Sequence, residues 1–426
     1  MTDLKFKILI FAAALLLIFS CVMPLSVILA PSKPLDIPPT PIADEPSTPL
    51  DVVEEMRAIW IATVNNINFP SKQGLSAKKL AEELDAIVNF ADENKFNTII
   101  FQVRPAADAL YDSKLFPQSK FVSGTSGKAP DQNFDCLEYI IEKAHERKIA
   151  IHAWVNPLRV TSGNSTYPQT DINALPSTSP AKQNPEFVVP YADGKLYFDA
   201  GQPYVRSLVA AGVKEICENY DVDGIVFDDY FYPYPVKNAK FDDADTYAEY
   251  GDGMSLADFR RESVNELIRL TYDTVKSVDK GILFGVSPFG IWKNGGKDGS
   301  DTKGLEAYDE IYCDALAWAK GGYVDYLAPQ LYWTFDNASA PFATLSKWWN
   351  DALAGTGVRY YVNHGVYRYS DGTMQSGEIT KQIENARTHD GYFGSMFYGY
   401  AALKANDGGV LDELKAIFEE SIIYLE

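Results

Sequence analysis

Asp221–Pro233 reads DVDGIVFDDYFYP, and its reading decides the fold. The apolar run Ile225–Phe227 ends in two adjacent carboxylates, Asp228 and Asp229, and then passes into aromatics and proline. Short and apolar on both faces, it predicts a parallel strand whose C-terminal end opens into a polar, aromatic mouth. In parallel α/β folds that end is where binding and chemistry sit. Side chains alternate along a strand, so Gly224, Val226, Asp228 and Tyr230 share one face and Ile225, Phe227 and Asp229 the other. The bulkier apolar set suits a helix-packed outside. Asp228 is therefore expected to face the interior as the key carboxylate, with Asp229 diverging from it unless the strand bulges.

Working outward, the same unit of apolar strand, polar loop and amphipathic helix recurs from Met56 onward. Strands are expected at Met56–Val64, Thr98–Pro105, Ala150–Val160, within Asp221–Pro233, and at Ile282–Trp292, Asp325–Trp333, Tyr360–Tyr367 and Ser395–Leu403. The helices between and after them are expected at Ser76–Lys95, Cys136–Lys148, Tyr204–Tyr220, Ser255–Ser277, Leu305–Lys320, Phe342–Ala354, Glu378–Thr388 and Val410–Tyr424. Eight such units make the count of a closed α/β (β/α)8 TIM barrel, with an open doubly wound sheet ranking second. The barrel is expected as a single domain over residues 51–426. Long excursions at Thr161–Leu196 and Tyr234–Met254 fall where active-site loops belong.

Residues 1–30 carry Lys5 and Lys7 and then an apolar run to Ala30, an export signal that stands apart from the fold. Ile18–Cys21 resembles a bacterial lipobox, with Cys21 as the lipidated residue; an uncleaved membrane anchor and plain secretion are the alternatives. Pro-rich residues 31–50 read as a semi-extended tether reaching roughly 60 Å. The expected location is the cell surface or envelope, membrane-anchored only through the N-terminal lipid or anchor. The net charge of −20 over 426 residues excludes nucleic acid and anionic membrane surfaces as electrostatic partners. Cys136, Cys217 and Cys313 fall on helices and read as small buried hydrophobes rather than a disulfide framework. Neither zinc-site nor EF-hand spacing is present, so no metal and no cofactor is expected, and the chain is read as a monomer.

Parity on the other strands gathers polar and aromatic residues at their C-terminal ends. Gln102 and Arg104 share a face on the second strand, His152, Trp154 and Asn156 on the third, and Ala328, Gln330 and Tyr332 on the sixth. Asn363 and Tyr398 lie near the ends of the seventh and eighth, while Trp154, Trp292 and Trp333 suit stacking on sugar rings. Polar groups buried unpaired would cost a few kcal/mol each, so they satisfy one another or face a ligand. Arg104 either binds an anionic substrate group or pairs with Asp228 or Asp229. The chemistry suggested is glycoside hydrolysis, which needs a carboxylic acid at the leaving oxygen and usually a second carboxylate. Only the fourth strand ends in Asp or Glu, and Asp336, beyond the sixth, is the nearest other candidate. A single carboxylate would fit substrate-assisted hydrolysis of an N-acetylated glycan. A non-catalytic glycan-binding protein and a hydrolase of another polysaccharide are the competing readings.

Five ordered motifs, MRAIWIATV, FQVRPAADALY, HAWVNPLRV, DGIVFDDYFYP and APQLYW, resemble the bacterial glycosyl hydrolase-like family of exported lipoproteins. That family includes the divisome-localised hydrolase of peptidoglycan glycan strands. The likeness runs from about Met56 to Leu403. It implies a TIM barrel and wall-glycan cleavage, particularly of strands stripped of stem peptides. Position by position it implies Asp228, Asp229, Arg104, Asn156 and the segment Gln330–Trp333 as active-site lining. Tyr230 joins them by its place in the mouth. Asp223–Tyr230 is also similar to the chitinase-type strand signature, but Tyr230 stands where its acidic Glu belongs.

Overall fold

The computed structural model describes residues 52–420 and 422–425. The export signal, Cys21 and the Pro-rich stretch lie outside the described residues. Eight parallel strands close into a barrel: β1 (Met56–Ile61), β2 (Thr98–Arg104), β3 (Ala150–Val155), β4 (Gly224–Phe227), β5 (Leu283–Val286), β6 (Tyr326–Leu327), β7 (Arg359–Gly365) and β8 (Tyr392–Tyr398). They pair in chain order, and β8 returns to β1 through Gly394–Phe397 against Met56–Ile59. The eight barrel helices are α1 (Ala77–Glu93), α2 (Cys136–His145), α3 (Pro203–Asn219), α4 (Leu256–Val278), α5 (Ala315–Gly321), α6 (Phe342–Leu353), α7 (Glu378–Ala386) and α8 (Val410–Ile417).

Local signals explain where the helices begin. Ser76 accepts from the Lys79 amide, Asp135 from those of Leu137 and Glu138, and Ser255 from that of Asp258, each satisfying an otherwise unpaired helix N-terminus. Two expected helices differ. Leu305–Lys320 is broken into Ala307–Glu310 and α5, with Tyr312 at φ +56° between them and the Asp314 side chain starting the second piece. The last helix stops at Ile417, and Ile423–Leu425 instead pairs antiparallel with Val52–Glu54, tying the end of the described chain to the strand just before the barrel.

Alternation sorts the core into two layers. Ile59, Phe101, Ile151, Ile225, Phe227, Phe284 and Phe397 pack outward against the helices. Ala58, Trp60, Ile100, Trp154, Val226, Tyr326 and Met396 fill the interior. A side-chain carbon at Gly224 would lie 2.8 Å from the His152 ring, so only glycine fits beside that ring. His152 is a core residue: its Nδ1 meets the Tyr326 hydroxyl at 2.9 Å, and burial lowers its pKa to about 4, leaving it neutral. Cys136, Cys217 and Cys313 are buried free thiols.

Candidate active site

β4 ends at Phe227, one residue short of the carboxylates. Asp228 continues the interior face set by Val226. Asp229 was expected to point away, but the chain has already left the strand there and turns, the Phe231 amide donating to the Asp229 carbonyl at 3.0 Å. Both carboxyls therefore line one cavity of about 380 Å³ at the C-terminal mouth of the barrel. That adjacency comes from the end of the strand rather than from a bulge.

The two carboxyls are held by different partners. Asp228 Oδ2 accepts from the Trp154 indole at 2.9 Å and the Asn156 amide at 3.0 Å. Its Oδ1 accepts from the same amide at 3.1 Å and the Tyr230 backbone at 3.3 Å. Asp229 Oδ1 accepts from Gln330 Nε2 at 2.9 Å, and its Oδ2 accepts a short hydrogen bond from the Tyr234 hydroxyl. Burial disfavours charge on both. It pushes the Asp228 carboxyl up to about 6, against the pull of the Arg159 guanidinium and with a further push from Asp229. Burial likewise raises Asp229, opposed chiefly by its bonds from Tyr234 and Gln330.

Of the residues expected here, Trp154, Asp228, Asp229, Tyr230, Gln330, Tyr332, Trp333, Asn363 and Tyr398 line the cavity. Asn156 stands behind it, gripping Asp228. Two expected residues lie elsewhere. A bulge between Gln102 and Arg104 flips the strand parity, so Arg104 turns outward, its guanidinium 3.7 Å over the Phe116 ring and packed against Gly212 of α3. Trp292 is six residues past the end of β5, stacked on Trp348 and bonded to Asp314 at 3.2 Å. Asp336 is exposed and outside the cavity lining.

Two cations line the cavity, Arg368 from the turn after β7 and Arg159 from the quoted motif HAWVNPLRV, and Arg159 is the one whose charge acts on Asp228. The Arg159 Nε and Nη2 donate to the Pro105 carbonyl at 2.9 and 2.7 Å, and its guanidinium lies 5.3 Å from the Tyr230 ring centre. Reading β3 through to Val160 hid it, because the strand stops at Val155 and strand alternation no longer sets where Arg159 faces. Tyr234, Trp60 and Gln102 also line the cavity. Tyr332 and Tyr398 stack with their ring planes 11° apart, and Phe289 meets Trp333 edge-on, giving the mouth flat aromatic walls.

Four buried polar atoms on this lining have no partner: Trp60 Nε1, Gln102 Nε2, Asn363 Oδ1 and Arg368 Nε. Their identities are set by their neighbours. Gln102 Oε1 accepts from the Thr63 and Val64 amides, which leaves its nitrogen free as a donor. Ser287 donates to the Ala328 carbonyl and so can only accept from Asn363 Nδ2, which leaves Asn363 Oδ1 free as an acceptor. An unsatisfied buried group costs about 1–3 kcal/mol, so three donors and one acceptor here favour a polar ligand.

Parallel barrels that carry paired carboxyls in an aromatic-walled mouth include the glycoside hydrolases, and that is the class of this protein. The chain belongs to the glycosyl hydrolase-like 10 family, which residues 55–376 match. It is 36% identical over 369 residues to the glycosyl hydrolase YngK of Bacillus subtilis strain 168, covering 84% of this chain and 71% of that one. It is 34% identical over 343 residues to the glycosyl hydrolase DigH of Escherichia coli K12, covering 76% of each. Among solved structures, the glycoside hydrolase domain of PgaB (BpsB) from Bordetella bronchiseptica superposes with a TM-score of 0.51 at 10% identity, over 85% of this chain and 99% of that one. An α-L-fucosidase isoenzyme from Paenibacillus thiaminolyticus gives 0.51 at 14% identity, over 86% of this chain and 49% of that one. At such identities these two speak for the barrel alone.

Proposed function

We propose that this protein is an exported, envelope-anchored glycoside hydrolase that cleaves glycan strands of peptidoglycan or a related N-acetylated polysaccharide. The observation that carries the reading is the pair of buried carboxyls, Asp228 and Asp229, in one aromatic mouth beside unpartnered polar groups. Asp228 supplies the proton. A carboxyl near pKa 6 keeps a proton available close to neutral pH, as a general acid at a glycosidic oxygen must. The Trp154 indole and the closer Asn156 contact fall on its Oδ2, while Oδ1 takes only the longer contacts from Asn156 and the Tyr230 backbone, which makes Oδ1 the better site for that proton. Asp229, steadied by Tyr234 and Gln330, faces the positive charge that develops on the sugar ring.

The N-acetylated character of the substrate is supported by the free groups. An acetamido substituent offers a carbonyl that accepts from Trp60 Nε1 or Gln102 Nε2, and an N–H that donates to Asn363 Oδ1. The export and anchoring rest on the lipobox-like segment ending at Cys21. The test is release of saccharide ends from purified peptidoglycan by the full chain in detergent, with and without prior amidase treatment, read by mass spectrometry beside Asp228→Asn. New ends from the wild type alone support the reading. Release from another N-acetylated polymer but not from the wall moves the substrate assignment to that polymer.

A further inference from the structure

A second hollow lies beside the mouth, between the loop that follows β2 and the excursion that follows β3. Its volume is about 280 Å³. Pockets that enclose whole drug-sized ligands begin at about 300 Å³, so this one is scaled to a single ring rather than to a chain. Phe121, Val160 and Leu175 supply apolar wall, and Asp108 and Ser162 supply polar atoms.

Those polar atoms are unspent. Asp108 and Ser162 are each 8% exposed, and Asp108 Oδ1 and Ser162 Oγ have no hydrogen-bond partner. A buried donor or acceptor left unmet destabilises the fold, so both call for a partner. A carboxylate oxygen asks for a donor, and a hydroxyl can give as well as accept. Sugar hydroxyls answer both, and the C–H face of the same ring suits the apolar wall. A cation is the poorer fit, since among the described residues no group of three or more His, Cys, Asp or Glu is placed to hold one.

The hollow is joined to the mouth by its backbone. Arg159 and Pro105, bonded to each other at the edge of the mouth, are followed directly by Val160–Ser162 and Ala106–Asp108, and these two segments form the wall of the hollow. The Ala107 amide donates to the Val160 carbonyl at 3.5 Å and keeps them together. We propose that this hollow is a second sugar-binding subsite, which takes a further unit of the glycan whose scissile bond lies at Asp228. The proposal rests on the hydrolase reading for the identity of that glycan.

Ala174 lies exposed on the rim of the hollow, so Ala174→Trp fills it without burying a new side chain in the core. The test uses the full chain in detergent carrying Asp228→Asn, titrated calorimetrically with β-linked N-acetylglucosamine oligomers of two and of six units. The six-unit chain is expected to bind about ten-fold tighter than the two-unit chain. Adding Ala174→Trp should bring that ratio close to one, and Asp108→Asn should reduce it. A ratio that survives Ala174→Trp overturns the subsite, and so does the absence of any preference for the longer chain. If the unsubstituted protein releases nothing from peptidoglycan while the length preference and its loss in Ala174→Trp both hold, the substrate assignment fails and the subsite stands.

Discussion

The indole nitrogen of Trp154 donates to Asp228 Oδ2 at 2.9 Å, deep in the mouth where neither residue is more than 6% exposed. This bond favours the charged carboxylate, while burial opposes it. Trp154→Phe keeps a ring to pack against Trp60, which meets Trp154 edge-on at 5.0 Å, and deletes the donor. A hydrogen bond to a charged group contributes about 1.5–3 kcal/mol, so the pKa of Asp228 should rise by about one unit or more. If Asp228 is the acid, the alkaline limb of the rate profile moves to higher pH by that amount. An unmoved limb would assign it to another group.

The same burial makes Asp228 a pH-dependent load on the fold. Its folded pKa of about 6 lies above the ordinary aspartate value, so the native state tolerates the neutral form and resists the charged one. The cost is absent below about pH 4, grows as pH rises through 6, and reaches roughly 3 kcal/mol above it. Asp228→Asn should therefore raise the melting temperature by a few degrees at pH 8 and leave it unchanged at pH 4, read by calorimetry. Equal effects at both pH values would count against a buried, raised carboxyl.

Tyr234 gives Asp229 one of its two side-chain donors from a half-buried loop position. Tyr234→Phe removes that donor while retaining the ring that meets Tyr230 edge-on. We expect kcat to fall about ten- to a hundred-fold with little change in melting temperature. A change confined to KM would make Tyr234 a substrate contact instead.

Arg104 and Arg159 separate a buried structural cation from one that reaches the cavity. Arg104 Nε and Nη1 have no hydrogen-bond partner, and burial disfavours its charge. Replacing a buried charge by an apolar side chain of similar volume is often neutral or stabilising, so Arg104→Met should keep kcat/KM within about two-fold and not lower the melting temperature. Arg159→Met should lower kcat/KM by at least ten-fold and shift the profile of Asp228 upward, since its guanidinium helps keep that carboxyl charged. Parallel kinetics of the two variants decide the matter.

Much of the architecture was legible because it rests on periodicity, which is local. The repeat of strand and helix implied eight units, and alternation in Gly224–Asp228 placed Val226 inside and Ile225 and Phe227 outside, as the barrel has them. The recurring polar strand ends brought nine of the expected residues to one cavity. What failed depended on where each strand stops and whether it bulges. A one-residue irregularity after Gln102 reversed Arg104, an early end to β4 brought Asp229 alongside Asp228, and early ends to β3 and β5 hid Arg159 and displaced Trp292.

By itself, then, the sequence determined the barrel, its interior face and the position of Asp228, because alternating side chains and amphipathic spacing need only near neighbours along the chain. Only the tertiary structure decided which groups touch them. The side-chain partners of Asp228 come from β3 and the residue after it, those of Asp229 from the loop after β4 and from the segment after β6, and the unpartnered atoms from β1, β2, β7 and the turn after β7. Such pairings depend on strand register, bulges and loop closure, in which residues far apart in the chain meet and no local period records the outcome.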